Sequence, residues 1–148
     1  MGISSQAVSV KGVLFRNHKG SLEVLLLRND RSEWELPGGR IDGAESPGEC
    51  LSREFLEETA LVVEVGPLVH RGVLIVEPPH VPAMTSISIS AYGCRMKEPA
   101  GSETSIVLST EHLDARWMPV SSVATRSDLP EIYKVAIRNW YRISDRQP

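Results

Sequence analysis

A chain of 148 residues is long enough to bury a sizeable core and is expected to form one domain over 1–148. With 41% hydrophobic and 24% charged residues the composition is that of an ordinary globular protein, and no apolar run reaches the roughly 18 residues that a transmembrane helix needs. A formal net charge of −3 gives no general attraction for nucleic acid or for an acidic membrane, so a phosphate-bearing ligand must be met by a local site or by a metal ion.

Two cysteines, Cys50 and Cys94, make no disulfide framework and have no metal-ligand spacing. They read as reduced packing residues, as in a reducing cytoplasm. The first ten residues lack a basic stretch followed by an apolar one, so no secretory signal is expected, and the predicted location is cytoplasmic.

In chain order, 7–15 is rich in β-branched residues and predicts a strand. Residues 17–20 predict a turn, and the apolar run 22–28 predicts a central strand closing a hairpin. After a polar loop at 29–33, Trp34 and Glu35 end a strand that runs into a tight turn at Gly38-Gly39. Strands are predicted at 61–65 and 68–77, interrupted at Gly66-Pro67, followed by a proline-rich loop at 78–82. Period-two alternation predicts a strand at 86–95, and 97–105 is a polar loop. Short strands are expected at 106–108 and 115–120. The last element, 129–143, predicts a helix whose apolar stripe is Tyr133, Ala136, Ile137, Trp140 and Tyr141, with Lys134, Arg138 and Arg142 on a solvated face.

The stretch 39–61 carries the chemistry. Ser46 is a good N-cap, Pro47 suits the first helical position, and Glu49 completes a Ser-x-x-Glu capping box. On the helix that follows, Glu54, Glu57 and Glu58 share an arc of about 100°. Leu51 and Phe55 form an adjoining apolar stripe. Carboxylates this close repel one another and destabilise an isolated helix. A hard divalent cation, which prefers oxygen ligands, would compensate them. Arg53 reaches Glu49 or Glu57 along the helix.

These residues resemble the Nudix box, Gly-x5-Glu-x7-Arg-Glu-U-x-Glu-Glu-x-Gly-U, where U is a bulky apolar residue. Gly39, Glu45, Arg53, Glu54, Glu57 and Glu58 stand at its spacings, and Phe55 and Leu61 fill the U positions. Ala60 replaces the second glycine, at a place where a helix end calls for positive φ. The left-handed turn is expected to survive this change. The resemblance implies an α/β (α+β) fold, an α/β/α sandwich around a mixed β-sheet.

It also implies hydrolysis of a diphosphate joined to another group, commonly in a nucleoside diphosphate derivative, with Mg²⁺ or Mn²⁺ as the cofactor. By resemblance Glu54, Glu57 and Glu58 are metal ligands, together with the backbone carbonyl of Gly38, while Glu45 and Arg53 fix the loop and the helix. The catalytic set so implied is Glu54, Glu111 and Arg53. Glu54, Glu98, Glu103 and Glu111 are all candidates for the general base. Glu111 is the first choice, because Val107 to Trp117 resembles the segment before the last strand in family members acting on dinucleoside polyphosphates or pterin triphosphates. His112 reads as a packing or hydrogen-bonding residue.

The expected partner is a nucleotide-type small molecule, with no nucleic acid and no membrane; a homodimer is left open. Loops 77–84 and 97–105 are the expected specificity elements. Two alternatives stand beside the hydrolase. One is a non-catalytic module of the same fold that senses a nucleotide or nucleotide-sugar, although such modules typically lose box acids and none is lost here. The other is a structural acidic helix without metal, which leaves the Gly-Gly segment and Arg53 unexplained.

Overall fold

The computed structural model describes residues 7–97, 106–108 and 112–145. In chain order it contains β1 (Ala7–His18), β2 (Ser21–Arg28), β3 (Trp34–Glu35), β4 (Gly38–Arg40), α1 (Pro47–Thr59), β5 (Val63–Val76), β6 (Thr85–Met96), β7 (Asp114–Pro119), α2 (Val120–Val123) and α3 (Glu131–Asp145). The strands form one mixed sheet in the order β3-β2-β1-β6-β5, with β4 also on β1 and β7 also on β2. Among the described residues only the β1–β6 pairing is parallel.

β1 is the organising strand, because two neighbours share one of its edges. Phe15 to His18 pair with β2, whereas Ser9, Val10 and Lys11 pair with β4. Pro37, between β3 and β4, accepts the Gly12 N–H at 2.9 Å where the edge changes hands.

The two faces of the sheet carry separate cores. Val10 and Leu14 of β1 pack with Leu25, Cys50, Leu51, Phe55 and Leu61 on the α1 side. Val13, Leu26, Trp34 and Ile89 pack with Tyr133, Ala136, Ile137 and Trp140 on the α3 side. β2 is buried on both faces, which explains its unbroken apolar run. The α/β/α layering is therefore as expected, and each fully buried Leu or Phe contributes on the order of 1.5–3 kcal/mol.

Several local expectations are corrected. Gly38-Gly39 is not a tight turn but the start of strand β4, paired against Lys11 and Val10; the turn falls later, where the Glu45 N–H bonds to the Asp42 carbonyl. The two strands expected around Gly66-Pro67 are one strand, β5, with irregular register between Val65, Leu68 and His70. β5 lies at the edge of the sheet, where a proline without an N–H is tolerated in a bulge. Residues 106–108 form no strand; the Val107 N–H instead bonds to the Thr59 carbonyl at 3.0 Å, tying this stretch to the end of α1. Tyr141 is exposed, because it lies one residue and about 100° past Trp140 on α3. The short helix α2 was not expected: Pro119 ends β7, and one helical turn starts at the next residue. The expected loop 97–105 lies outside the described residues beyond Lys97. Among the described residues no helix is long and apolar enough to cross a membrane.

Candidate active site

Helix α1 begins and ends as its sequence dictates. The Ser46 hydroxyl accepts the Glu49 N–H at 3.1 Å, and the Glu49 carboxylate accepts the Ser46 N–H at 3.0 Å. At the other end Ala60 is left-handed, with φ 63°, and its N–H closes on the Leu56 carbonyl. Phe55 is buried in the core, and this fixes the rotation of the helix. Glu54 and Glu58 then turn toward β4, while Glu57 points outward.

Arg53 organises the acids. Its Nε and Nη2 form a two-pronged bond with Glu45, at 2.7 and 3.0 Å. Its Nη1 donates to both Glu54 and Glu57, at 3.1 Å each. Glu45 also accepts the Asp42 N–H at 3.0 Å, so one residue fastens the loop to the helix. Arg53 holds the Glu45 carboxyl down at about 2, with the Asp42 N–H adding to this and burial opposing it. Glu49 is committed to the capping box rather than to Arg53.

The three helix carboxylates occupy different environments. The Glu57 side chain is 58% exposed and that of Glu58 only 5%. Glu54 lies against the backbone of Gly39, so closely that a β-carbon there would come within 2.5 Å of its Oε1. Gly38 donates its N–H to Glu58 Oε1 at 2.8 Å. Gly38 itself has φ +146°, and a β-carbon on it would overlap the Val10 carbonyl oxygen, so the position demands glycine. The Gly-Gly pair therefore lets β4 approach both β1 and two carboxylates of α1. Burial pushes the Glu58 carboxyl up to about 7; Lys11, the Gly38 N–H and His112 moderate this, and Glu54 adds to it.

Behind Glu58 lies a buried polar cluster that the sequence reading missed. Glu35 accepts from His112 Nε2 at 2.9 Å and from Asn29 Nδ2 at 3.1 Å. It also faces Lys11 Nζ at 3.9 Å and Arg31 Nη2 at 3.7 Å. Burial alone would raise the Glu35 carboxyl, but Lys11, His112 and Asn29 outweigh it and hold it at about 2. Lys11 is raised in spite of its burial, because Tyr133, Glu35, Glu58 and Glu54 surround it with negative potential.

An ionised Glu35 only accepts, so His112 Nε2 carries a hydrogen. Its Nδ1 then faces Glu58 Oε2 at 3.5 Å. That contact is attractive only when a proton stands between the two, on the ring or on the carboxyl. Burial opposes a charged His112, but Glu35 and Glu58 outweigh it and raise the imidazole. The available signals were a lone lysine inside a β-branched strand and a glutamate just ahead of the Gly-Gly pair.

Gly38, Arg53, Glu54, Glu57 and Glu58 are thus brought together, whereas Glu98, Glu103 and Glu111 lie outside the described residues. Among the described residues no three acidic, imidazole or thiol groups converge on one point at ligand distance. Arg53 Nη1 instead bridges Glu54 and Glu57. The donor set nonetheless fits a hard cation in kind: oxygen carboxylates on one helix face, beside the backbone of two glycines.

The chain matches the family model of the NUDIX domain over residues 6–140. It is 32% identical over 131 residues to a MutT-like protein of Streptomyces ambofaciens, a match that spans 88% of this chain and 74% of that one. A 51-residue stretch is 47% identical to a putative 8-oxo-dGTP diphosphatase of Bacillus subtilis (strain 168), covering 31% of this chain and 34% of that one. The fold is similar to that of a Caenorhabditis elegans Ap4A hydrolase in a binary complex, with a TM-score of 0.72 and 19% identity over 94% of this chain and 98% of that one. A family model that matches almost the whole chain, on a fold whose α1 carries Glu54, Glu57 and Glu58 with Glu45 in the loop just before it, decides the matter: the chain belongs to the Nudix family and is a hydrolase of the pyrophosphatase type.

Proposed function

We propose that the protein hydrolyses a phosphoanhydride bond in a nucleoside diphosphate linked to another moiety, with Mg²⁺ or Mn²⁺ held by Glu54, Glu57, Glu58 and the carbonyl of Gly38. The observation that carries this reading is the Arg53 bridge. One guanidinium gathers Glu45, Glu54 and Glu57, so the repelling carboxylates are held together on a face that β4 approaches. A bound divalent cation would neutralise the diphosphate charge and make the attacking water more acidic.

The chain's own residues supply the rest. Arg53 and Glu45 hold the loop before α1 against the helix. The Gly38 N–H and the buried cation Lys11 favour an ionised Glu58, against the cost of its burial. Glu111 is the proposed general base, and support comes from its neighbour, since His112 lies 3.5 Å from Glu58. A nucleotide substrate agrees with what the relatives are called, a putative 8-oxo-dGTP diphosphatase and an Ap4A hydrolase.

The test is a panel of nucleoside triphosphates, dinucleoside polyphosphates and nucleotide-sugars, incubated with the protein and Mg²⁺ or Mn²⁺, with phosphate and nucleotide products measured. Turnover of one class supports the reading and names the substrate. Tight binding of a nucleotide without any turnover would replace it with the sensing module.

A further inference from the structure

His112 has no place in the reaction as described, yet it is among the most constrained polar side chains near the site. Its side chain is 8% exposed. Nε2 is bound to Glu35, and Nδ1 is buried with no hydrogen-bond partner among the described residues. A buried polar atom left unpaired loses its hydration without compensation, so a native protein needs a reason to keep one. The group nearest that atom in an ion pair is Glu58 Oε2, whose other oxygen already holds the Gly38 N–H.

Glu35 is well suited to fix the ring. Asn29, Lys11 and Arg31 all face its Oε2, which leaves Oε1 to His112. The result is a chain of side chains, Glu35 to His112 to Glu58, running from β3 through the segment before β7 to the last turn of α1.

We propose that Glu35 and His112 position Glu58, so that the affinity of the site for a divalent cation depends on a histidine that does not itself touch the cation. The inference rests on the reading of Glu58 as a metal ligand. A carboxylate fixed at one oxygen by a backbone N–H and flanked at the other by an oriented imidazole keeps its plane. Each oxygen then retains a lone pair for a cation. Partners of this kind, one step removed from a metal, typically change its affinity by about 10–100-fold when removed. A histidine that only filled space would not act through Glu58, and this difference can be measured.

The experiment titrates Mn²⁺ into the purified protein without nucleotide and reads free Mn²⁺ by electron paramagnetic resonance. It compares wild type, His112→Ala, His112→Gln, Glu35→Gln, Glu58→Gln and the double variant His112→Ala/Glu58→Gln. Circular dichroism establishes that each is folded, and His112→Gln, which preserves polarity and much of the volume, serves if the alanine variant does not fold. The expected result is about tenfold weaker Mn²⁺ binding for the His112 and Glu35 variants. In the Glu58→Gln background, removal of His112 should change binding by less than about twofold, the margin within which effects of independent sites add.

Two results overturn the proposal while leaving the metal reading standing. One is Mn²⁺ binding within about twofold of wild type in both His112 variants when Glu58→Gln is impaired; the other is an equal loss on removing His112 in either background. Unchanged Mn²⁺ binding by Glu58→Gln itself overturns both, because Glu58 is then no ligand.

Discussion

The backbone N–H of Gly38 donates to Glu58 Oε1 at 2.8 Å, which joins strand β4 to the last turn of α1 across 20 residues of sequence. This bond makes the glycine pair part of the site rather than a hinge beside it. Gly38 sits at φ +146°, against the Val10 carbonyl. Gly38→Ala should therefore cost at least about 1–3 kcal/mol through backbone strain alone. A thermal melt should show a fall of several degrees, with loss of activity. A melting temperature within about a degree of wild type would mean that β4 does not need glycine at this position.

Glu58→Gln should move activity and stability in opposite directions. The folded-state pKa of Glu58, about 7, lies above its ordinary value of 4.5. Its ionisation therefore opposes folding, and the stability present below pH 4.5 is lost as the pH rises toward 7. In EDTA at pH 8, Glu58→Gln should be the more stable protein by up to about 3 kcal/mol, and at pH 4 the difference should vanish. With Mg²⁺ the same variant should lose about 10²–10⁴ in kcat, as should Glu57→Gln. Near wild-type rates in both would remove these residues from the metal set, and robust turnover in excess EDTA would remove the metal.

Glu35 has the opposite sign. Its folded-state pKa of about 2 lies below the ordinary 4.5, so it stabilises the fold fully above pH 4.5, and that contribution is lost as the pH falls through 2. Glu35→Gln should destabilise the protein at pH 7 by about 3–5 kcal/mol, because Lys11 is left buried without its partner. It should also flatten the acid limb of the stability curve between pH 4.5 and 2. Urea melts across that range make the comparison; an unchanged acid limb would show that other carboxylates govern it.

For the general base, Glu111→Gln should lower kcat and leave Mn²⁺ affinity nearly unchanged, whereas Glu54→Gln should damage both. A silent Glu111→Gln beside an inactive Glu103→Gln would move the base to the earlier loop.

The departure from the family pattern at Ala60 is also testable. The residue is left-handed, at φ 63° and ψ 16°, as the missing glycine would have been. Alanine is strained there by roughly 1 kcal/mol. Ala60→Gly should thus be neutral or raise the melting temperature by a few degrees, even after the extra entropy that glycine loses on folding. A drop of more than about two degrees would count against the strained turn.

The sequence by itself determined α1 and its acids. Capping at Ser46, the break at Ala60 and the spacing of Glu54, Glu57 and Glu58 are all set within a turn or two of the chain. At that range propensity, dihedral preference and helical periodicity act directly. The two-faced burial of β2 and the inward stripe of α3 were legible for the same reason, since each leaves a periodic trace in its own residues. Only the tertiary structure decided what surrounds them. Gly38-Gly39 looked like a turn because glycine pairs usually are, but pairing with β1, far upstream, makes it a strand. The cluster of Lys11, Glu35 and His112 left only isolated traces, because its members lie on two strands and the segment before β7, and the Glu35–His112 bond spans 77 residues. A hydrogen bond over that distance is set by the pairing of β3 and β7 with β2, and no window of neighbouring residues encodes it.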